Sequence, residues 1–153
     1  MPALAVVTLF AGCATRYQEM GFTGGVAAEQ MSADVFRIKS RGNGYTDATT
    51  VQDYVLLKAA ETAKSIGGTH FQIIDAADAT RQQVVTTPGV VNTSVYSNVA
   101  FTTYSPPSTS IVKKPGQDVY IRVLRLPVGQ QPPAGAFVAD DIVQFIGGRV
   151  KRG

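Results

Sequence analysis

Between Val35 and Asp75 the spacing of apolar residues changes twice, and few folds accommodate both changes. Val35-Phe36-Arg37-Ile38-Lys39-Ser40-Arg41 alternates strictly, with Phe36 and Ile38 on one side and Arg37, Lys39 and Arg41 on the other. A period of two belongs to a half-buried strand. Over residues 49–66 the apolar positions Val51, Val55, Ala59, Ala63 and Ile66 form one stripe at helical spacing, with Lys58, Glu61 and Lys64 on the polar side. Thr49 and Gln52 have the spacing of a capping box, and Gly67-Gly68 supplies a stop. Thr69–Asp75 then returns to alternation, with Phe71 and Ile73 facing one way. Gly42-Asn43-Gly44 makes the turn between the first strand and the helix, because Gly and Asn tolerate positive φ. Strand, helix and strand with short links predict a right-handed crossover.

The rest of the chain adds strands. Gln83–Thr87 and Ser94–Tyr104 are rich in Val, Thr, Tyr and Phe, with Pro88-Gly89 as a turn between them. Residues 105–117 carry Pro106-Pro107 and Pro115-Gly116 and read as loop. Asp118–Leu126 alternates through Val119, Ile121 and Val123, as a central strand does. Residues 137–146 have near-helical spacing, which predicts a short C-terminal helix. Runs of strands after one helix favour an α+β domain over a doubly wound sheet. The expectation is one main helix on a mostly antiparallel sheet of about five strands: 35–41, 69–75, 82–87, 94–104 and 118–126. Phe36, Ile38, Val55, Ala59, Phe71, Ile73, Val119, Ile121 and Val123 should form its core. The segment 82–112 has two readings, a protruding hairpin that pairs with another chain or an ordinary sheet edge with a mobile loop.

Leu9-Phe10-Ala11-Gly12-Cys13 reads as a bacterial lipobox: an apolar core, two small residues, then a cysteine whose thiol takes up a diacylglyceryl group. Small Ala11 and Gly12 let the backbone enter a peptidase cleft, so residues 1–12 are expected to be removed as a signal peptide and Cys13 to become the lipidated first residue. The run lacks the basic residue that opens an export signal, which leaves a buried structural segment as the other reading. Ordinary secretion of a soluble product is a further rival. Cys13 is the only cysteine, so no internal disulfide can form. Residues 13–34, with Gly21, Gly24 and Gly25, read as a flexible tether whose extended reach is roughly 70 Å. Residues 35–148 would form the single folded domain, and 149–153 a basic tail.

The net charge of +3 stems from Arg149, Lys151 and Arg152, leaving the body balanced. That is a weak footprint for nucleic acid, and no nucleic-acid partner is expected. Catalytic patterns are nearly absent. His70 is the only histidine, there is no Gly-x-Ser-x-Gly, and one Cys with one His cannot make an ordinary protein-only zinc site. Asp75/Asp78 reads as turn chemistry and Asp140/Asp141 as a helix surface. No catalytic residue, metal or cofactor is expected. The row Arg37, Lys39 and Arg41 is the candidate surface for an anionic polymer, lipid headgroups or a partner.

Several stretches bear a family likeness. Gly12-Cys13-Ala14-Thr15-x-Tyr17-Gln18, then Gly21-x-Thr23-Gly24-Gly25, resemble the opening of a family of small proteobacterial envelope lipoproteins. Gly42-Asn43-Gly44-x-Thr46, the helix with Tyr54, Leu57 and Ala59-Ala60-Glu61, and Gly68-x-x-Phe71 are similar to that family's body. The resemblance covers roughly residues 9–75, and the chain departs from it in lacking the basic start and in carrying Phe10 where Leu is usual. It implies a lipid anchor at Cys13 and assigns no activity. By analogy with enterobacterial sorting, Ala14 rather than Asp after the cysteine implies the periplasmic face of the outer membrane. The expected role is a non-catalytic, membrane-anchored lipoprotein that binds an envelope protein or cell-wall component. A soluble periplasmic carrier of a small ligand is the alternative, and an enzyme using His70 or Asp75/Asp78 the remoter one.

Overall fold

The computed structural model describes residues 13–153, and the signal-peptide reading of 1–12 lies outside the described residues. The architecture is α+β. Five strands form the main sheet: β1 (Gly25–Gln30), β2 (Val35–Arg41), β3 (His70–Asp78), β8 (Gly116–Leu124) and β9 (Ala136–Val138), in the order β1-β2-β8-β3-β9 with every neighbouring pair antiparallel. Helix α1 (Ala48–Ser65) links β2 to β3, and α2 (Ala139–Phe145) follows β9. Four more strands, β4 (Arg81–Thr87), β5 (Val90–Tyr96), β6 (Val99–Ser105) and β7 (Ser108–Lys114), lie between β3 and β8 and pair only among themselves.

The alternation in β2 does what its period demands. Phe36, Ile38 and Ser40 point inward and are buried, while Arg37, Lys39 and Arg41 stand on the outer face. Val119, Ile121 and Val123 continue that inner face on β8, and Phe71 does so on β3. Val55, Ala59, Ala60 and Ala63 of α1 complete the layer, the alanines allowing close approach of helix to sheet. All nine expected core residues belong to this cluster, Ile73 as a partly buried member. Burial of Phe71, Ile38 and Ile121, each 0 % exposed, removes apolar surface worth about 1.5–3 kcal/mol per side chain. Strands β2 and β3 run parallel, and β8 fills the space between them, so the two halves of the crossover are not direct neighbours.

Several boundaries differ from expectation. Residues 13–34 are not a free tether: β1 is an edge strand paired with β2 throughout, and Thr15, Tyr17 and Val26 are buried. Residues 149–153 are not a loose tail. The Tyr17 N–H donates to the Lys151 carbonyl at 2.8 Å, and the Gly153 N–H donates to the Tyr17 carbonyl at 3.0 Å. Arg149 pairs with Asp53 and Arg152 with Glu61, each at 2.8 Å. The folded unit therefore takes in both flanks assigned outside 35–148. The helix cap is Asp47 rather than Thr49, its carboxylate accepting the Thr50 N–H at 2.7 Å. Segments 82–87 and 94–104 are not in the main sheet, and their places are taken by β1 and β9. The stretch 94–104 is two strands with a turn at Ser97-Asn98, and 105–117 contains β7 and the start of β8 instead of a continuous loop.

Candidate functional site

The residues after Cys13 are laid onto the body by three side chains from one corner. The Asn43 side-chain amide donates to the Cys13 carbonyl at 2.7 Å. The Thr15 N–H donates to the Thr46 hydroxyl at 2.9 Å, and the Thr15 hydroxyl in turn accepts the Asn43 N–H at 3.0 Å. Tyr54 donates its hydroxyl to the Thr15 carbonyl at 2.8 Å. Asn43 also organises its own turn by accepting from the Tyr45 N–H and the Thr46 hydroxyl. Gly42 is needed here because a Cβ would sit 2.7 Å from that of Thr46. The turn Gly42-Asn43-Gly44, read above as a plain tight turn, is thus a clamp that holds the chain at Cys13.

Cys13 itself is exposed. Beside it the tight turn Gly21–Gly24 is tied to the clamp through the Thr15 hydroxyl, which donates to the Thr23 carbonyl at 2.8 Å. That turn presents Phe22 fully to solvent, and Tyr45 is exposed next to Asn43. A shallow open cleft of about 450 Å³ joins the turn to Arg41–Asn43 and to Arg81, Gln82, Gln83 and Lys114. The Cys13 clamp and the foot of the four extra strands therefore share one end of the main sheet.

Those four strands are one long ribbon. Beyond the β-bulge at Ile74, β3 and β8 pair as Asp75↔Tyr120 through Asp78↔Gln117. The same register resumes at Arg81↔Lys114, reaches Thr87↔Ser108, and continues from Val90↔Ser105 to Tyr96↔Val99. Two central strands of the sheet thus run on past its edge without a slip. Pro88-Gly89 and Pro106-Pro107 interrupt the ladder opposite each other, where the three prolines have no N–H to give to it. Gly89 packs there where a Cβ would meet Pro107 at 3.0 Å. Ser97 (φ 49) and Asn98 (φ 64) close the tip with the two positive φ angles of a type I′ turn. At strand rise, Arg81 to Tyr96 spans about 50 Å.

Nearly the whole ribbon is exposed on both faces, including Val91, Val95, Tyr96, Phe101, Tyr104 and Ile111. Residues 82–112 contain no Asp, Glu, Lys or Arg, a run of 31 uncharged residues. Charge returns at the foot, where Arg81 stands directly opposite Lys114 and Lys113 opposite Gln82. None of these three cations pairs with a carboxylate among the described residues. They are the residues missed above. The gap in charge between them was visible in the sequence; that they meet at one end of a ribbon was not.

The expected cationic row is otherwise engaged. Glu29 on β1 binds both Arg37 and Lys39, and these two partners, Lys39 foremost, hold its carboxyl below the usual carboxylate range. Arg41 pairs with Asp118 of β8 at 2.6 Å. The row therefore closes on neighbouring strands instead of presenting three free cations. His70 hydrogen-bonds through Nδ1 to the Thr69 hydroxyl at 2.8 Å, at the far end of β3 from Asp78. Asp78 accepts the Thr80 N–H as turn chemistry, with its carboxyl held low by Thr80, and Asp140 pairs with Lys64 at 2.5 Å. These groups are not brought together. Among the described residues no cluster of three His, Cys, Asp or Glu side chains could hold a metal, and no helix is long and apolar enough to cross a membrane. Comparison of the chain with protein families, curated proteins and solved structures gives no match.

Proposed function

We propose that this protein is a non-catalytic lipoprotein of the bacterial envelope that acts by binding. Acyl chains on Cys13 would hold it at the periplasmic face of the outer membrane, and the ribbon would be its working surface. The observation that carries this reading is positional. An exposed cysteine, preceded in sequence by the run read above as a lipobox, sits at the same end of the sheet as the foot of a long, uncharged, exposed ribbon. The clamp changes what an anchor at Cys13 does. With the Cys13 carbonyl bound to Asn43, two or three acyl chains, enough for stable attachment, would seat the body directly on the lipid surface. Phe22 and Tyr45 lie on the same end and would enter the interface, where aromatic side chains are favoured.

Mass spectrometry of protein purified from membranes tests the anchor. Cleavage before Cys13 with a diacylglyceryl-cysteine is the expected result, and an intact Met1 or an unmodified thiol in the membrane fraction overturns it. Crosslinking in intact cells tests the binding role, with crosslinks expected to fall in 82–112. Their absence there, together with no effect of replacing the ribbon by a turn, would sink that part.

A further inference from the structure

We propose that the ribbon is a membrane-inserting hairpin, in which residues 82–112 enter a bilayer and pair edge to edge with the ribbons of further copies of this chain to close a β-barrel. The orientation rests on the anchor reading above; the ribbon's own chemistry does not. A charge in the bilayer core costs several kcal/mol, and the 31 residues from Gln82 to Val112 contain none. Charge reappears only at the foot, as Arg81, Lys113 and Lys114. Like charges directly opposite one another repel across a strand pair, and anionic headgroups at the bilayer surface would neutralise them. In water the open edges of such a ribbon would ordinarily be guarded by charged side chains. Here they are not.

Length and facing agree with insertion. A tilted strand needs about 9–11 residues to cross the hydrocarbon core, and Gln82–Tyr96 provides 15, with Pro88-Gly89 interrupting its ladder midway. Cross-strand partners share a face, so beyond the prolines one face carries Val91, Val95, Ala100 and Tyr104 around Thr93 and Thr102. The other carries Val90, Tyr96, Val99 and Phe101 together with Asn92, Ser94, Thr103 and Ser105. Beyond the prolines Asn and Ser fall only on the second face, which suits a wetter interior, and the first suits lipid. A two-stranded ribbon cannot cross alone, because its outer N–H and C=O groups would go unpaired in lipid. Identical ribbons supply the missing strands.

The experiment uses the full-length acylated protein reconstituted into phosphatidylethanolamine/phosphatidylglycerol vesicles loaded with a self-quenched dye. Dye release should rise more steeply than linearly with protein-to-lipid ratio, and crosslinking should give species larger than dimers. Thr93 and Thr102 face each other in the middle of the apolar face, their hydroxyls 3.2 Å apart. Thr93→Asp with Thr102→Asp should lower release at least tenfold without shifting the thermal melt of the body. Asn92→Asp on the opposite face should keep release and favour cations, which guards against mere misfolding of the double variant. Intact vesicles, oligomers without release, or full release by the double variant each overturn the proposal. Cys13→Ser protein added at high concentration separates the two readings. If it releases dye while native Cys13 is found unmodified, the anchor falls and the hairpin stands; acylated protein that leaves vesicles intact gives the reverse.

Discussion

Tyr54, in the middle of α1, donates its hydroxyl to the Thr15 carbonyl at 2.8 Å in the protein interior. This bond is one of the ties that hold the segment leaving Cys13 to the main helix. Burial, then the nearby Asp47 carboxylate, holds the phenol above its ordinary pKa, so it remains a donor at neutral pH. Tyr54→Phe leaves the carbonyl without its partner and should cost about 1–3 kcal/mol, read from the midpoint of urea denaturation. Amide exchange should accelerate most at residues 14–17. Uniform acceleration across the sheet would show that the bond is not a local clasp.

Tyr17 predicts an alkaline limit. Its hydroxyl donates to Glu61, its ring meets that of Tyr54 edge-on at 5.5 Å, and the Arg152 guanidinium lies 5.1 Å over its face. Burial first, then the hydrogen bond to Glu61, pushes its pKa well above the ordinary 10.0. The folded state therefore keeps the proton longer than the unfolded chain does. The stabilisation is complete below the unfolded value and is lost as pH climbs above about 10 toward the folded one. Stability should fall across that window in denaturant titrations, and Tyr17→Phe should flatten the slope. Tyrosinate absorbance should show late ionisation tracking unfolding; ionisation at ordinary pH with the fold intact would contradict the burial argument.

Ser40 offers a stabilising substitution. It is fully buried between β1 and β8, and its hydroxyl has no hydrogen-bond partner among the described residues. Ser40→Ala removes an unsatisfied buried polar group and should raise stability by about 1 kcal/mol. A loss of that size on thermal or urea denaturation would mean the hydroxyl has a partner.

The ribbon should be dispensable for folding. Arg81 and Lys114 are register partners, so Asn-Gly can replace everything between them as a two-residue turn. Because the ribbon's strands pair only with one another, the body's stability should change by no more than about 0.5 kcal/mol. Thermal melts of the shortened chain measure this directly. Failure to fold would assign the ribbon a structural role in the body.

Period and small residues made the central part of this fold legible. Strands β2, β3 and β8 and helix α1 appear in the sequence because each carries one buried face, and the expected core follows from those faces. Edge strands carried less signal: β1 opens on Gly25, which has positive φ, and β9 is three residues long. Of the ribbon, β4 read as a strand, while 94–104 read as one strand instead of two and β7 read as loop; periodicity also says nothing about which strands share a sheet. The site was harder still. Thr15, Asn43, Thr46 and Tyr54 lie up to 39 residues apart, and their bonds run through backbone carbonyls and hydroxyls that no spacing rule marks. Glycines and short polar residues made 13–34 look like a tether, although Thr15 and Tyr17 are held at both their backbone and side-chain atoms.

The pairing of Tyr17 with residues 151–153 fixes an order of events as well as a contact. Tyr17 is made long before its partners are. Until residues 151–153 arrive, it lacks its backbone partner at Lys151 and the Arg152 guanidinium that covers its ring, and the corner beside Cys13 stays unlatched. A growing polypeptide would thus keep this corner open throughout the synthesis of the sheet and shut it only after the sheet is complete.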